Sequence, residues 1–309
     1  MVKGKKTQIY LILFLILLLV HIIPIAIYAG DITLLHEFAG GVDDGMSPYG
    51  SLIQSGSTLY GMTWHGGDHG DGVIFSIGTD GNGFTLLHEF GGGIDNGREP
   101  KGSLIQSGST LYGMTDSGGD NDKGVIFSIG TDGSGFTLLH VFAGGVNDGA
   151  YPDDSLIYDG STLYGMTERG GDSDIGVIFS IGTDGSEFTL LHEFAGGDAD
   201  GSQPLGALTQ SGSTLYGMTW RGGDSDLGVI FSIGIDGNGF TLLHEFTAGI
   251  NDGFFPFGSL IQSGNTLYGM TLMEDLIIRE LYFLSAQMVV ALRSSMNLPV
   301  MMERLLRVI

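Results

Sequence analysis

Near-identical motifs return every 52 residues along most of this chain, and that period constrains the fold more than any other feature. The motif Thr-Leu-Tyr-Gly-Met-Thr occurs five times, with its glycine at Gly61, Gly113, Gly165, Gly217 and Gly269. A proline recurs with the same spacing, at Pro48, Pro100, Pro152, Pro204 and Pro256. Such a period is typical of propellers and solenoids, whose units stack because none can bury its own apolar face alone.

The pattern inside one unit predicts four short strands. Apolar and polar side chains alternate over residues 84–90, as expected for a strand with one buried face. Residues 103–106, 110–115 and 124–130 predict three more strands, because β-branched and aromatic residues are bounded there by glycine and aspartate. The sequence therefore predicts an all-β fold: a β-propeller-like tandem repeat with four short strands per unit. A β-solenoid is the alternative.

Composition and charge restrict the partners. The chain has 309 residues, 55 of them glycine and none cysteine, so disulfides are absent and apolar burial must stabilise the fold. The net charge is −23, and residues 30–271 hold 31 acidic residues against five basic ones. A surface of this charge repels phosphate backbones, so no nucleic-acid partner is expected.

Residues 1–29 have the pattern of a secretory signal peptide. Lys3, Lys5 and Lys6 precede an apolar run over residues 9–27, and Ala29 supplies a small residue for cleavage. An N-terminal anchor is the alternative, because the run approaches the ~20 residues that span a bilayer. Both interpretations place the body outside the cytoplasm, secreted or at the cell surface, with membrane contact only through an uncleaved N-terminal segment.

The order of the motifs identifies a family resemblance. Leu-Tyr-Gly-Met-Thr is followed by Gly-Gly-Asp, Gly-Val-Ile-Phe-Ser-Ile, Asp-Gly and Leu-Leu-His-Glu-Phe. In this order and spacing, residues 34–271 resemble the GloVer tandem-repeat family of exported "choice-of-anchor" repeat proteins. The resemblance implies export and a surface-associated role, and it carries no catalytic residue over. Residues 30–271 form the tandem-repeat β domain, with copies starting near residues 34, 86, 138, 190 and 242.

The repeat pattern stops after Thr271, and residues 272–309 are interpreted as a frameshifted remnant of the next repeat segment. Read one base earlier, the codons of residues 296–298 can give His-Glu-Phe. Those of residues 287–289 can give Thr-Asp-Gly, and those of residues 281–283 Val-Ile-Phe. All three triplets fall where the 52-residue period places them, so the loss of one base explains them. The alternative is that residues 272–309 form a C-terminal amphipathic helix. The fifth unit is then incomplete, with an unpaired edge.

An acidic loop follows the Gly-Gly pair that comes after Thr-Leu-Tyr-Gly-Met-Thr in the first four copies. Its candidate calcium ligands are Asp120, Asp122, Asp172, Asp174, Asp224 and Asp226. Asp-x-Asp followed by glycine is similar to loops that offer carboxylates to Ca²⁺, which takes about six to eight oxygen ligands. Aspartate and glycine are also ordinary turn residues, so a turn without calcium is the alternative. No other cofactor is expected.

Two aromatic residues and a recurring histidine are further candidates. Trp64 and Trp220 occupy equivalent positions before the Gly-Gly-Asp loop, where their rings could stack on a sugar or peptide or could cap a strand. The histidine of each Leu-Leu-His-Glu-Phe motif shares its strand face with phenylalanine and leucine. We therefore expect a hydrogen-bonded structural histidine rather than a metal ligand.

The motifs favour binding over catalysis. The acidic residues recur in every copy, whereas a catalytic site usually needs one asymmetric constellation. Nucleophile-elbow, zinc-protease and phosphate-loop motifs are absent from the sequence. We expect an exported non-enzymatic scaffold that presents loops for binding a carbohydrate or a surface protein. A secreted carbohydrate-active hydrolase or lyase on a propeller scaffold is the alternative, because a fold does not decide function.

Overall fold

The computed structural model describes residues 32–249, 252–274 and 288–291. The predicted signal segment 1–29 and most of the predicted remnant 272–309 lie outside these residues. The chain divides into two units after Leu35. The described part of the first unit, residues 32–35, contains no strand. All the described sheets belong to the second unit, His36–Ile309. Every regular element in the described residues is a β-strand, so the all-β prediction is confirmed. Those residues include no apolar helix long enough to cross a bilayer.

Four complete sheets follow one another along the chain, each an antiparallel meander of four strands. Sheet 1 consists of Ile53–Ser55, Thr58–Thr63, Val73–Gly78 and Thr85–Glu89. Sheet 2 consists of Ile105–Ser107, Thr110–Thr115, Val125–Gly130 and Thr137–Val141. Sheet 3 consists of Ile157–Tyr158, Thr162–Thr167, Val177–Gly182 and Thr189–Glu193. Sheet 4 consists of Thr209–Ser211, Thr214–Thr219, Val229–Gly234 and Thr241–Glu245.

Each unit also carries a short two-stranded antiparallel ladder beside its main sheet. The ladders pair Gly45–Met46 with His65–Gly66, Gly97–Arg98 with Ser117–Gly118, Gly149–Ala150 with Arg169–Gly170, and Gly201–Ser202 with Arg221–Gly222. In the fifth unit, Gly253–Pro256 pairs with Thr271–Glu274. The prediction of a propeller-like repeat with four short strands per unit is confirmed, because face-packed four-stranded meanders are the blades of that architecture.

The sheets do not begin at the same motif as the copies counted in the sequence. The Leu-Leu-His-Glu-Phe strand was expected to open each unit, but Thr85–Glu89 pairs with Val73–Gly78 and closes sheet 1. A tight turn through Asp80 and Gly81 joins these two strands, whereas a long loop follows Glu89. A short connection favours antiparallel pairing of the strands it joins, so the turn decides the sheet to which this strand belongs.

The apolar core lies between neighbouring sheets. Tyr60 and Met62 of sheet 1 pack in one cluster with Leu111 and Phe127 of sheet 2. Tyr112 follows Leu111 in the same strand but belongs to the cluster between sheets 2 and 3, because successive side chains of a strand point to opposite faces. The same packing recurs between sheets 3 and 4 and between sheets 4 and 5. Interior sheets are therefore buried on both faces.

The glycine of Thr-Leu-Tyr-Gly-Met-Thr makes room for a phenylalanine ring. A β-carbon added at Gly165 would lie 2.5 Å from Cζ of Phe179 and 3.1 Å from Cδ2 of Leu156. The equivalent glycines Gly113 and Gly217 would meet Phe127 and Phe231 in the same way. The motif therefore contains glycine because a ring from the neighbouring strand of the same sheet occupies the space of a side chain.

Sheet 5 departs from this plan. Ile261–Ser263 and Thr266–Gly269 form an antiparallel hairpin as in the other sheets, but Met288–Ala291 pairs with Thr266–Gly269 in parallel. In sheet 4 the corresponding place is taken by Val229–Gly234, which runs antiparallel to its neighbour. Among the described residues, the fifth unit therefore lacks the antiparallel third and fourth strands of the other sheets, and the frameshift proposed for the segment after Thr271 stays a prediction.

Candidate binding surface

The recurring histidine bonds to the residue eight positions later in the chain. Nε2 of His192 lies 3.0 Å from Oδ1 of Asp200, and the backbone N–H groups of Ala195 and Gly201 donate to the same carboxylate at 2.9 and 2.7 Å. The other pairs are His36 with Asp44, His88 with Asn96, His140 with Asp148, and His244 with Asp252. Each pair fixes the long loop that leads to the next sheet.

The imidazole rings also join neighbouring sheets. His88 stacks on Phe136 of sheet 2 with ring centroids 3.7 Å apart, and His140 stacks on Phe188 of sheet 3 at 3.8 Å. Burial alone would raise the pKa of Asp252, but hydrogen bonds from His244 and Thr247 outweigh it and lower that pKa. These contacts give the histidines a structural role between sheets.

The second copy carries asparagine where the others carry aspartate, so His88 is bonded to a neutral amide instead of a carboxylate. Burial lowers the pKa of His88 below its ordinary value, although the bond to Asn96 acts in the opposite direction. The unfolded chain therefore takes up a proton before the folded one, and stability should fall as pH drops below about 6.5. In Asn96→Asp, the new carboxylate should raise the pKa of His88, because an adjacent negative charge favours the protonated ring. NMR titration of the His88 ring would measure this.

The matched control for that titration is Asp95→Asn, which changes the charge of the adjacent exposed residue. This control should leave the His88 pKa within the error of the titration. An Asn96→Asp variant whose His88 titrates at the original pH would contradict the assignment of Asn96 as its partner.

Half of the calcium candidates take part in hydrogen bonds of their own loops. The N–H groups of Gly118, Gly170 and Gly222 each donate at 3.0 Å to Asp122, Asp174 and Asp226, respectively. Arg98 pairs with Asp122, and Arg221 pairs with Asp226. The remaining candidates, Asp120, Asp172 and Asp224, are exposed. Over the described residues no three acidic or histidine side chains are grouped as a metal site requires, and calcium binding stays a prediction.

Side chains differ between copies chiefly at one end of the sheets, named here the variable end. It is the end where the second strand of a sheet stops and the third begins. On either side of the recurring proline the residues are Ser47 and Tyr49, Glu99 and Lys101, Tyr151 and Asp153, Gln203 and Leu205, and Phe255 and Phe257. After Thr-Leu-Tyr-Gly-Met-Thr they are Trp64 and His65, Asp116 and Ser117, Glu168 and Arg169, and Trp220 and Arg221.

The backbone holds these two variable segments side by side. The N–H of Asp116 donates to the carbonyl of Glu99 at 3.2 Å, and the N–H of Trp220 donates to Gln203 at 2.9 Å. The residue before each proline has a left-handed backbone, with φ of 59° at Glu99 and 54° at Gln203. Non-glycine residues rarely adopt this conformation, and such strain is found preferentially at functional sites. A repeated, rigid backbone therefore presents side chains that change from copy to copy.

A partly buried ion-pair cluster lies at the variable end of sheets 2 and 3. Nζ of Lys101 is 2.9 Å from Oδ1 of Asp116 and 2.6 Å from Oδ1 of Asp153. Burial alone would lower the pKa of Lys101, but its bonds to both carboxylates raise it. Burial raises the pKa of Asp153, and the charges of Asp116 and Glu168 add to that rise. One ammonium group thus holds together carboxylates that would otherwise repel one another.

Replacing Lys101 by methionine should lower the free energy of unfolding by about 2 kcal/mol at neutral pH, because two half-buried carboxylates lose their cation. The loss should shrink as pH falls toward the raised pKa of Asp153, because protonation removes the charge of that carboxylate. Denaturant unfolding at several pH values would measure it. Lys123→Met, at the same end of the sheets, is the matched control and should change little; equal losses for both variants would contradict a specific role of Lys101.

Two aromatic clusters lie at the variable end and contain the predicted tryptophans. The ring of Trp220 stacks on Phe255 with centroids 4.9 Å apart, and Arg221 lies 5.5 Å from the same phenylalanine ring. Trp64 stacks on His65 at 4.4 Å, and its indole Nε1 is buried with no hydrogen-bond partner among the described residues. Both tryptophans are half-buried.

The structure adds residues that the sequence did not single out. Lys101, Asp116 and Asp153 come from two units and meet only because the sheets pack face to face. A signal for them existed, since Lys101 is one of five basic residues in the acidic region 30–271. The same end of the sheets therefore combines carboxylates, basic groups and aromatic rings in an arrangement that no two units share.

These features define a class: a tandem-repeat β scaffold with an invariant framework and one variable end. Residues 22–145 and 95–275 match the Gloeobacter/Verrucomicrobia repeat, and the chain belongs to that family, as its resemblance to the GloVer repeat predicted. No curated protein matches the chain.

Solved structures similar to this chain share little sequence with it. A nidogen/laminin complex is 15% identical with a TM-score of 0.45, covering 74% of this chain and 73% of that one. A putative TolB from Agrobacterium tumefaciens is 17% identical with a TM-score of 0.40, covering 66% of each chain. An oligogalacturonate lyase in complex with manganese is 14% identical with a TM-score of 0.41, covering 66% of this chain and 55% of that one.

Proposed function

We propose that this protein is an exported, non-enzymatic repeat scaffold that binds a carbohydrate through its variable end. The repeat framework supplies rigidity, and the side chains that differ between copies supply recognition. Binding residues are commonly carried on loops that a rigid scaffold positions. The surface is defined by Trp220, Phe257, Trp64, Tyr49 and Arg169.

The observation that carries the proposal is the contrast between framework and variable end. Polar side chains that repeat in most copies are used internally, as in the bonds of His192 to Asp200 and of Asp172 N–H to Glu193. The side chains that do not repeat gather at one end. A purely structural repeat would have no need for residues that change between copies at these positions.

The chemistry at the variable end suits a carbohydrate. Exposed faces of tryptophan, tyrosine and phenylalanine can stack on the apolar face of a sugar ring, and carboxylates and arginine can hydrogen-bond its hydroxyls. Tyr49 and Phe257 are 58% and 39% exposed, so their rings are open to a ligand. The basic and apolar N-terminal pattern supports export, which would place this surface where polysaccharides are encountered.

A glycan-binding screen followed by calorimetry tests the proposal. Trp220→Ala should weaken binding of the selected glycan at least about tenfold, because a buried aromatic contact is typically worth that much at an interface. Thr79→Ala, an exposed residue at the opposite end of sheet 1, is the control and should leave affinity unchanged. Binding of extracellular proteins but no glycan would instead indicate a protein ligand. Hydrolysis or elimination of a bound polysaccharide would indicate the hydrolase or lyase alternative.

A further inference from the structure

The outer face of sheet 1 exposes apolar side chains that are buried in the other sheets. Leu52 is 51% exposed, whereas its equivalents Leu104, Leu156, Leu208 and Leu260 are 1%, 1%, 2% and 2% exposed. In the interior, each of these leucines is covered by the preceding sheet, as Leu104 is by Tyr60 and Met62. Sheet 1 has no such cover for Leu52 in the described residues.

The proline of the first copy shows the same difference. Pro100 is buried, with its Cδ 2.8 Å from the place where a β-carbon on Gly72 of the preceding unit would lie. Pro48 is exposed, and so are its neighbours Met46 and Tyr49, at 47% and 58%.

His36 stacks on Phe84 and Phe38 contacts Phe75, so these two residues supply part of the cover that an interior sheet face has. The rest of the outer face of sheet 1, around Leu52, is an interior contact surface with no partner among the described residues.

The far face of sheet 5 carries the other half of that contact, with no partner among the described residues. Met270 is 55% exposed, whereas its equivalents Met62, Met114, Met166 and Met218 are 4%, 3%, 5% and 4% exposed. Ile261, on the first strand of sheet 5, is 65% exposed. In the interior, such a methionine packs against the following sheet.

The contact between sheets 4 and 5 shows how the two exposed faces would fit. The Sδ atom of Met218 lies 3.2 Å from the place of a β-carbon on Gly269, and Cδ2 of Leu260 lies 2.8 Å from the same place. In sheet 1, Cδ2 of Leu52 likewise lies 2.6 Å from the place of a β-carbon on Gly61. Met270 of one molecule therefore has a ready site at Leu52 and Gly61 of another.

We propose that the outer face of sheet 1 binds the far face of sheet 5 of a second copy of this chain. The contact repeats one that the chain already makes four times between its own sheets. It is heterologous, since different surfaces meet, so it builds a ring if the rotation closes and an open filament if it does not. The proposal is independent of the carbohydrate function.

Sedimentation velocity of the full chain over a range of concentrations tests the association. The wild type should shift to larger species as concentration rises, and Leu52→Glu should weaken association at least about tenfold, because it places a charge in an apolar contact. Ile94→Glu is the matched control, since Ile94 is 68% exposed but lies on a loop instead of a sheet face. A monomer at every concentration, or equal association in Leu52→Glu, would overturn the proposal.

The absence of cysteine allows a second test of which surfaces meet. A mixture of Leu52→Cys and Met270→Cys chains should form disulfide-linked dimers under mild oxidation, while each variant alone should form few. The result is independent of whether Leu52→Glu folds. A chain that carries both Leu52→Cys and Met270→Cys should form disulfide-linked multimers. An internal disulfide within single chains would show that each chain covers its own two faces, and would overturn the proposal.

Discussion

Replacing Asp200 by alanine is expected to lower the free energy of unfolding by about 3–5 kcal/mol. This side chain is buried, with 9% of its surface exposed, and it accepts from His192 and from the N–H groups of Ala195 and Gly201. Alanine would leave the His192 and Gly201 donors unsatisfied at the join between two sheets. Denaturant unfolding of the two proteins would measure the difference.

Asp200→Asn is the matched variant, and copy 2 shows why it should be tolerated. Asn96 accepts from His88 and from the N–H of Gly97, and its amide donates to the carbonyl of Glu89. For Asp200→Asn we expect the free energy of unfolding to fall by about 1 kcal/mol or less. The amide oxygen still accepts from His192 and Gly201, and the N–H of exposed Ala195 can bond to water. Equal losses for the alanine and asparagine variants would show that these bonds do not stabilise the sheet junction.

Gly165→Ala is expected to destabilise the fold by about 2–3 kcal/mol, as overpacking a close-packed core does. The added methyl would lie 2.5 Å from Cζ of Phe179, which is fully buried and cannot move without displacing its neighbours. The backbone of Gly165 is not left-handed, so the expected loss comes from crowding and not from conformational strain. Denaturant unfolding of both proteins would show it as a lower midpoint.

A compensating substitution identifies the crowded atom. Phe179→Leu alone should destabilise by creating a cavity, but in the Gly165→Ala background it should recover part of the loss, because the smaller side chain makes room for the methyl. A double-mutant cycle would measure a coupling energy of about 1 kcal/mol or more. Strict additivity of the two losses would contradict the proposed contact.

The strands could be predicted because their determinants are local. The alternation around His88 and the β-branched run at residues 124–130 indicate strands wherever they lie in space. The sheet to which a strand belongs is less local. A repeat of constant period has no visible start, so counting copies from the Leu-Leu-His-Glu-Phe motif did not show that its strand closes a sheet. The turn at Asp80 and Gly81 carried the missing information, since it joins that strand to the preceding one.

The site residues were harder to predict because they depend on packing between units. Trp64 and Trp220 were found because they break the repeat, and the same reasoning applied to Lys101 would have marked it. Its partners Asp116 and Asp153 lie 15 and 52 positions away, and no local pattern connects them. The bond from each histidine to the residue eight positions later also depends on the path of an irregular loop.

The central claim is that no sheet is stable alone, because its apolar side chains must be covered by a neighbouring sheet. Far-UV circular dichroism during thermal unfolding of two excised segments tests it most directly: residues 92–145, which contain sheet 2 alone, and residues 40–197, which contain sheets 1–3. We expect the three-sheet segment to melt cooperatively from a β-rich state, and the single-sheet segment to be unfolded at every temperature. A cooperative melt of the single sheet as a monomer would contradict the claim.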